Sequence, residues 1–349
     1  MHPYNKNKKR GLYWKSSSML LVGLLLTIIL LVPALIVAPH TTKMTELETS
    51  TEAEVEKPAE AVTLSSDDSA FTVEVMRSET DQIEKVLLED YVTRVVASEM
   101  PAEFELEALK AQALAARTYI VNYLAHVTDD AANVTDTVQH QVYKSDEELR
   151  EVWGSDYSWK ISKIKEAVAG TVGEILTYED QPITPAFFST SNGYTENAED
   201  YWENALPYLK SVASPWDQDS PKFLDQKIVP IDQVEEALGV TLSQSNNDFS
   251  MTRTASNRVE TVKIAEQTFT GRDIREALEL RSSDFSIEQK NDHLIFTTKG
   301  YGHGIGMSQY GANGMAEDGK SYQDIVTYYY QGTEIERIED ATPTLVVKN

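Results

Sequence analysis

"VVASEMPAEFELEALKAQALAARTY" runs from Val95 to Tyr119, and its spacing decides what is built around it. Val92, Val95, Val96 and Glu99 fall at i, i+3, i+4 and i+7, which is one face of a helix. Three of these residues are apolar. The fourth is a carboxylate, followed at once by Met100 and Pro101. Asp90 predicts the cap of a short helix over Tyr91–Glu99. Pro101 predicts its end, because the residue before proline is pushed out of the α region. A longer helix is predicted from about Phe104 to Leu124, with Leu106, Leu109, Ala113, Ala116, Ile120 and Leu124 as its apolar stripe. Ala108, Ala111 and Ala115 keep its other side small, so close neighbours are expected nearly all round. Lys110 and Arg117 project in nearly the same direction, at the border of that stripe.

A carboxylate flanked by apolar surface resists ionisation, so the pKa of Glu99 is expected to be raised. That is the condition for a general acid near neutral pH. The alternative is a helix-end glutamate that turns to solvent or pairs with Arg94 or Arg117. The two cations beside the stripe need a counter-charge, since an unpaired buried charge is costly. Glu99 or an anionic ligand supplies it, or the two side chains snorkel past the stripe edge.

Upstream, "MLLVGLLLTIILLVPALIVA" covers Met19 to Ala38, 20 residues without a charge. At about 1.5 Å per residue that length spans the roughly 30 Å hydrocarbon core of a membrane. Residues 1–18 hold five basic residues and no acidic one, which places the N-terminus in the cytoplasm and the body outside. A cleaved signal peptide has a shorter apolar region and a small-x-small site. Pro39 stands badly after a cut at Ala38, so an uncleaved anchor is expected. Residues 39–70 are expected to be a disordered acidic stalk. Thr41 to Ala70 hold eight acidic residues, two lysines and no aromatic, too little apolar area to offset the entropy of ordering.

The formal net charge is −25, and without the five N-terminal cations 26 basic residues face 56 acidic ones. That balance excludes nucleic acid as a partner. With no cysteine, disulfides and thiolate metal sites are excluded too. His126 and His140 make no convincing zinc set, and no metal or cofactor is expected. Ser189 and Ser191 lie in "FFSTSNG", which is not the G-x-S-x-G of a serine hydrolase.

Downstream, "FTVEV" alternates from Phe71 and predicts a strand. "ITPAFFSTSNGYT" predicts a strand into a turn at Asn192-Gly193. Residues 215–285 predict a smaller α/β lobe. In "KGYGHGIGMSQYG" the glycines 300, 302, 304 and 306 alternate. On a strand this leaves one bare face, open to another backbone or a flat ligand, with His303 inside it. "SYQDIVTYYYQG" predicts a closing helix, capped by Ser321 with Asp324 three residues on and stopped at Gly332. Glu196, Glu199 and Asp200 lie in a polar run that is expected to be solvated.

"YVTRVVASEMPAEFELEALKAQALAARTY", "DTVQHQVY", "FFSTSNGYTENAEDYW", "PYLKSV" and "GYGHGIGMSQYGANGMA" resemble, in this order, the stage II sporulation protein D family. The resemblance covers about residues 71–333. It implies a lytic transglycosylase that cuts peptidoglycan glycan strands already stripped of stem peptides during forespore engulfment. Its partners would be the stage II sporulation protein P amidase and stage II sporulation protein M. The catalytic residue it implies is Glu99, with Lys110, Arg117, Ser189, Tyr201, His303 and Gln309 along the glycan cleft. Lys110 and Arg117 would face the lactyl carboxylate of muramic acid. Some members bind zinc through cysteines near the segment matching residues 139–143; this chain keeps only His140 there, so no metal is carried over. A non-catalytic glycan-binding enhancer of a cell-wall amidase is the alternative.

The fold expected is mixed α/β: an extracytoplasmic body over residues 71–340 with its smaller lobe, a groove between them, and one preceding membrane helix in the mother-cell membrane facing the intermembrane space. Deleting residues 1–40 should leave a soluble, folded protein, because the stalk has no core to lose. Sequencing the N-terminus of the mature protein from cells checks the anchor: a chain beginning after Ala38 would mean cleavage.

Overall fold

The computed structural model describes residues 69–127, 133–202, 204–243, 249–343 and 345. The expected anchor at 19–38 and nearly all of the stalk lie outside them. The described residues form a mixed α/β fold with two separate apolar cores.

The larger core begins where the sequence pattern places it. Strand Thr72–Arg77 buries Val73 and Val75 and pairs antiparallel with Gln82–Leu87. The chain passes from Leu87 straight into helix Leu88–Glu99. This helix starts earlier than Tyr91, and Asp90 is not its cap. Leu87 holds the extended cap position, and Glu89 and Asp90 lie in the first turn, where the helix dipole favours negative charge. Met100 is extended, as the residue before Pro101 must be, and the helix stops there.

Helix Leu106–His126 is the centre of this core. Its alanines 108, 111, 113, 115 and 116 have no exposed surface. Helices Leu88–Glu99, Tyr157–Ala169, Gln309–Glu317 and Tyr322–Tyr329, together with strand Glu174–Tyr178, all pack on it. The absence of large side chains is what admits so many neighbours.

Arg117 lies in the middle of this helix with 0% exposure, and the expectation that it faces a ligand is corrected. Its Nε donates to Glu89 Oε1 at 3.0 Å and its Nη2 to Glu89 Oε2 at 2.6 Å. Nη1 donates to Thr171 Oγ1 and to the Glu174 carbonyl, each at 3.2 Å. Glu89 is itself 1% exposed and also accepts from the Gly173 backbone N–H at 3.3 Å. One guanidinium thus joins the start of one helix, the end of a second and the start of a strand.

The second core is antiparallel. Strands Leu224–Pro230, His293–Lys299 and Phe285–Lys290 form one sheet; Ser250–Arg253, Val259–Ile264 and Gln267–Thr270 form another. Helices Ile231–Leu238 and Gly271–Ala277 add Val234, Leu238 and Ile274 to the core. A boundary at Phe285 cuts through this arrangement, because the strand beginning there pairs with His293–Lys299. At the other end Trp216 packs on the larger core.

The glycine-rich segment is not a strand with a bare face. Gly300, Gly302, Gly304 and Gly306 all have positive φ, so the chain winds through conformations that side chains disfavour. A Cβ at Gly306 would stand 2.0 Å from the Ala186 carbonyl oxygen, and one at Gly304 would stand 2.4 Å from the Arg258 guanidinium. Among the described residues, protein atoms and not a ligand occupy this close approach. The helix Tyr322–Tyr329 carries the expected capping box, with Ser321 Oγ accepting from the Asp324 N–H at 3.2 Å.

Arg117→Met removes the guanidinium that answers the buried Glu89 carboxylate and should cost about 3–5 kcal/mol of stability. Urea unfolding checks this. Unchanged unfolding with lost glycan binding would return Arg117 to a ligand-facing role.

Candidate active site

Glu99 ends its helix at the mouth of a cleft of about 300 Å³. Its side chain is half-buried, and its Oε1 accepts from the Val142 backbone N–H at 2.8 Å. Burial raises its pKa; the Val142 N–H and the Lys144 ammonium pull it part of the way back. Neither arginine considered as a partner reaches it. Arg94 is engaged by Glu84 at 2.8 Å and by the Tyr143 hydroxyl, and Arg117 by Glu89. Among the described residues Glu99 has no ion pair at all, which favours the acid over the structural glutamate.

Gln309 meets Glu99 from the far end of the chain. Its Nε2 donates to the Glu99 carbonyl at 3.0 Å and to Gln112 Oε1 at 3.3 Å. It stands there because Ser308 caps the helix Gln309–Glu317, accepting from the Gly311 N–H at 3.3 Å. Asn313, on the same helix, accepts from the Glu105 N–H at 2.7 Å. The C-terminal motif therefore braces both sides of Pro101. Gln309 is buried, so its contact is with the backbone behind the catalytic candidate and not with the cleft.

The cations of the cleft are not the two expected from the helix pattern. Lys110 pairs with Glu107 at 2.6 Å and lies over the Tyr322 ring, away from the cleft lining. Lys144, Lys160 and Lys222 line the cleft instead. They come from three separate segments, so no local pattern marks them. Lys160 pairs with Glu103 at 2.8 Å. Lys222 Nζ reaches Ser189 Oγ at 3.4 Å, which brings that serine to the edge of the site. Trp153 adds an aromatic wall.

His303 and Tyr201 form a second group. The His303 ring stands 5.7, 6.1 and 5.8 Å from the rings of Phe188, Tyr201 and Trp202. Burial, with Arg275 and Arg258 nearby, pushes its pKa down to about 4, so the ring is neutral. Its Nδ1 accepts from the Ile305 N–H at 3.0 Å, which leaves the ring proton on Nε2. This histidine holds its loop together. Tyr201 accepts from Arg275 at 3.1 Å and lines another cavity, of about 570 Å³. Glu196, expected in solvent, is buried there and accepts from the hydroxyls of Thr254 at 2.8 Å and Ser256 at 2.7 Å.

Residues 76–178 match the sequence model of the family described as "SpoIID: Stage II sporulation protein". A "Stage II sporulation protein D" of Bacillus amyloliquefaciens is 52% identical over 275 residues, covering 77% of this chain and 79% of that protein. One of Bacillus subtilis (strain 168) is 48% identical over 324 residues, covering 90% and 94%. The "Amidase enhancer" of Bacillus subtilis (strain 168) is 30% identical over 296 residues, covering 69% of this chain and 39% of that protein.

The raised pKa of Glu99 has a consequence for stability. The folded state holds this proton more tightly than the unfolded chain, where the ordinary value is 4.5. Its stabilising contribution is complete below 4.5 and is lost as pH rises through the folded pKa. Glu99→Gln keeps the acceptor for Val142 and has no proton to lose. It should be more stable than the unaltered protein at pH 7, with the gap closing as pH falls through the folded pKa of Glu99 and gone below about 4.5. Thermal unfolding across that range decides it: a variant less stable at pH 7 would mean that the carboxylate is a structural partner.

Proposed function

The chain belongs to the stage II sporulation protein D family, and from that premise we propose that it is a membrane-anchored lytic transglycosylase. It cuts peptidoglycan glycan that an amidase, the stage II sporulation protein P, has stripped of stem peptides. It acts during forespore engulfment, beside the stage II sporulation protein M, held by residues 19–38 in the mother-cell membrane facing the intermembrane space. The observation that carries the reaction is Glu99: a half-buried carboxyl with a raised pKa and, among the described residues, no ion pair, in a cleft lined by three lysines.

Glycosidases of the two-carboxylate kind need a second acid flanking the bond. The other carboxylate of this cleft is Glu103, which is exposed, paired with Lys160 and lowered in pKa by that pair. A single acid suffices when the sugar supplies its own nucleophile. Glu99 gives its proton to the glycosidic oxygen, and the C1–O bond of muramic acid breaks. The C6 hydroxyl oxygen of the same sugar bonds to C1. The Glu99 carboxylate then takes the hydroxyl proton and is restored to the acid. No water enters, and the product is a 1,6-anhydro end. Trp153 offers an apolar face to a sugar ring, and the lysines attract the carboxylates that bare glycan carries.

The name of the amidase-enhancer relative favours a second reading, in which the cleft only holds glycan and stimulates an amidase. The full chain in detergent, incubated with amidase-treated peptidoglycan, separates the two. Soluble fragments with anhydro ends are expected from the unaltered protein and from Glu103→Gln. Glu99→Gln should lose at least roughly 100-fold in turnover while still binding glycan. Fragments with ordinary reducing ends, or undiminished release by Glu99→Gln, would sink the mechanism; no release at all would favour the binding role.

A further inference from the structure

We propose that Lys222 holds the free lactyl carboxylate of muramic acid, and that this contact makes the cleft select glycan without stem peptides. The inference rests on the glycan-cleft reading above and adds the residue and the chemistry of its selectivity. Of the three cleft lysines, Lys160 is already engaged by Glu103 at 2.8 Å. Lys144 and Lys222 form no ion pair with any described carboxylate, so both are open to an anion from outside.

Lys222 differs from Lys144 in being fixed. Its ammonium stands 5.6 Å from the centre of the Tyr301 ring and 5.7 Å from that of Tyr310. The Ser189 hydroxyl lies 3.4 Å away. Two ring faces hold a flexible side chain in place and keep water from part of the cation. An ammonium has three donors, so at least two remain for a ligand, with the Ser189 hydroxyl beside them as a further donor. Burial, with Arg281 nearby, lowers the pKa of this lysine. A poorly hydrated cation gains more from an incoming anion than a fully solvated one does.

The ligand chemistry follows from the sugar. Bare muramic acid carries a carboxylate on its lactyl group. When the stem peptide is attached, that same group is a neutral amide. The difference between the two strands at this point is therefore one negative charge, which is the property an ammonium reads. Burial in the same cleft disfavours the charged form of Glu99, which lessens its repulsion against the arriving anion.

The test uses the detergent-solubilised full chain carrying Glu99→Gln, so that binding is measured without turnover. The probes are a purified glycan tetrasaccharide with free lactyl carboxylates and the same tetrasaccharide with each carboxylate converted to a methylamide. The free acid should bind roughly ten-fold or more tightly than the methylamide. Lys222→Met should abolish that preference, whereas Lys222→Arg should keep part of it. Equal binding of the two probes before Lys222 is altered overturns the proposal without any folding question. So does a preference that survives in a cooperatively unfolding Lys222→Met variant. The catalytic reading fails separately, if protein with Glu99 intact releases nothing while the probe preference stands.

Discussion

A full positive charge at the centre of the larger core must be answered there, and the way Arg117 is answered fixes much else. Removing a guanidinium and a carboxylate from water costs several kcal/mol each, so the pair survives only with good geometry and with its remaining donors satisfied. Glu89, Thr171 and the carbonyl of Glu174 supply that geometry. These groups stand on three different elements. The satisfied pair therefore sets where helix Leu88–Glu99 begins relative to helix Tyr157–Ala169 and strand Glu174–Tyr178. From Glu89 to Glu99 is ten residues, or about 15 Å of helix. The charge that cannot be left unpaired at one end thereby places the candidate acid at the other. Pro101 fixes where the helix stops, and Gln309 holds its last carbonyl. The site depends on this chain of constraints more than on any contact within the cleft.

The parts of this chain that rest on local pattern were legible in the sequence. The alanine-rich helix, its crowded surroundings, the stop at Pro101 and the Ser321 capping box follow from spacing and from single-residue chemistry. The partner of Arg117 was not recognised, although a signal existed. Glu89, Val92, Val96 and Glu99 share one helix face, so the apolar stripe has a carboxylate at each end. The stripe-edge arginine needs one of them, and the one that pairs is Glu89, at the end away from Met100-Pro101. Lys144, Lys160 and Lys222 were invisible for a different reason: segments far apart in sequence bring them together, and each alone looks like an ordinary surface lysine. The alternating glycines misled because alternation suggests a strand. Four glycines within seven residues is better explained by backbone with positive φ pressed against its neighbours, as at Ala186 and Arg258.

The electrostatics of the cleft hold two demands in tension. A general acid needs its proton near neutral pH, and burial shifts the Glu99 carboxyl in that direction. A cleft that collects anionic glycan needs cations, and each cation near Glu99 draws its proton off, as Lys144 does. The two demands conflict in the free protein. They cease to conflict once glycan is bound in the way proposed. A lactyl carboxylate on Lys222 cancels part of the positive field and displaces water from Glu99, and both changes raise the proton affinity of the acid. A strand still carrying its stem peptides brings an amide in place of that charge. It would bind less well, and it would also leave Glu99 more readily ionised. On this argument the same missing charge weakens both steps, so selectivity for stripped glycan is enforced in the protonation of the acid as well as in binding.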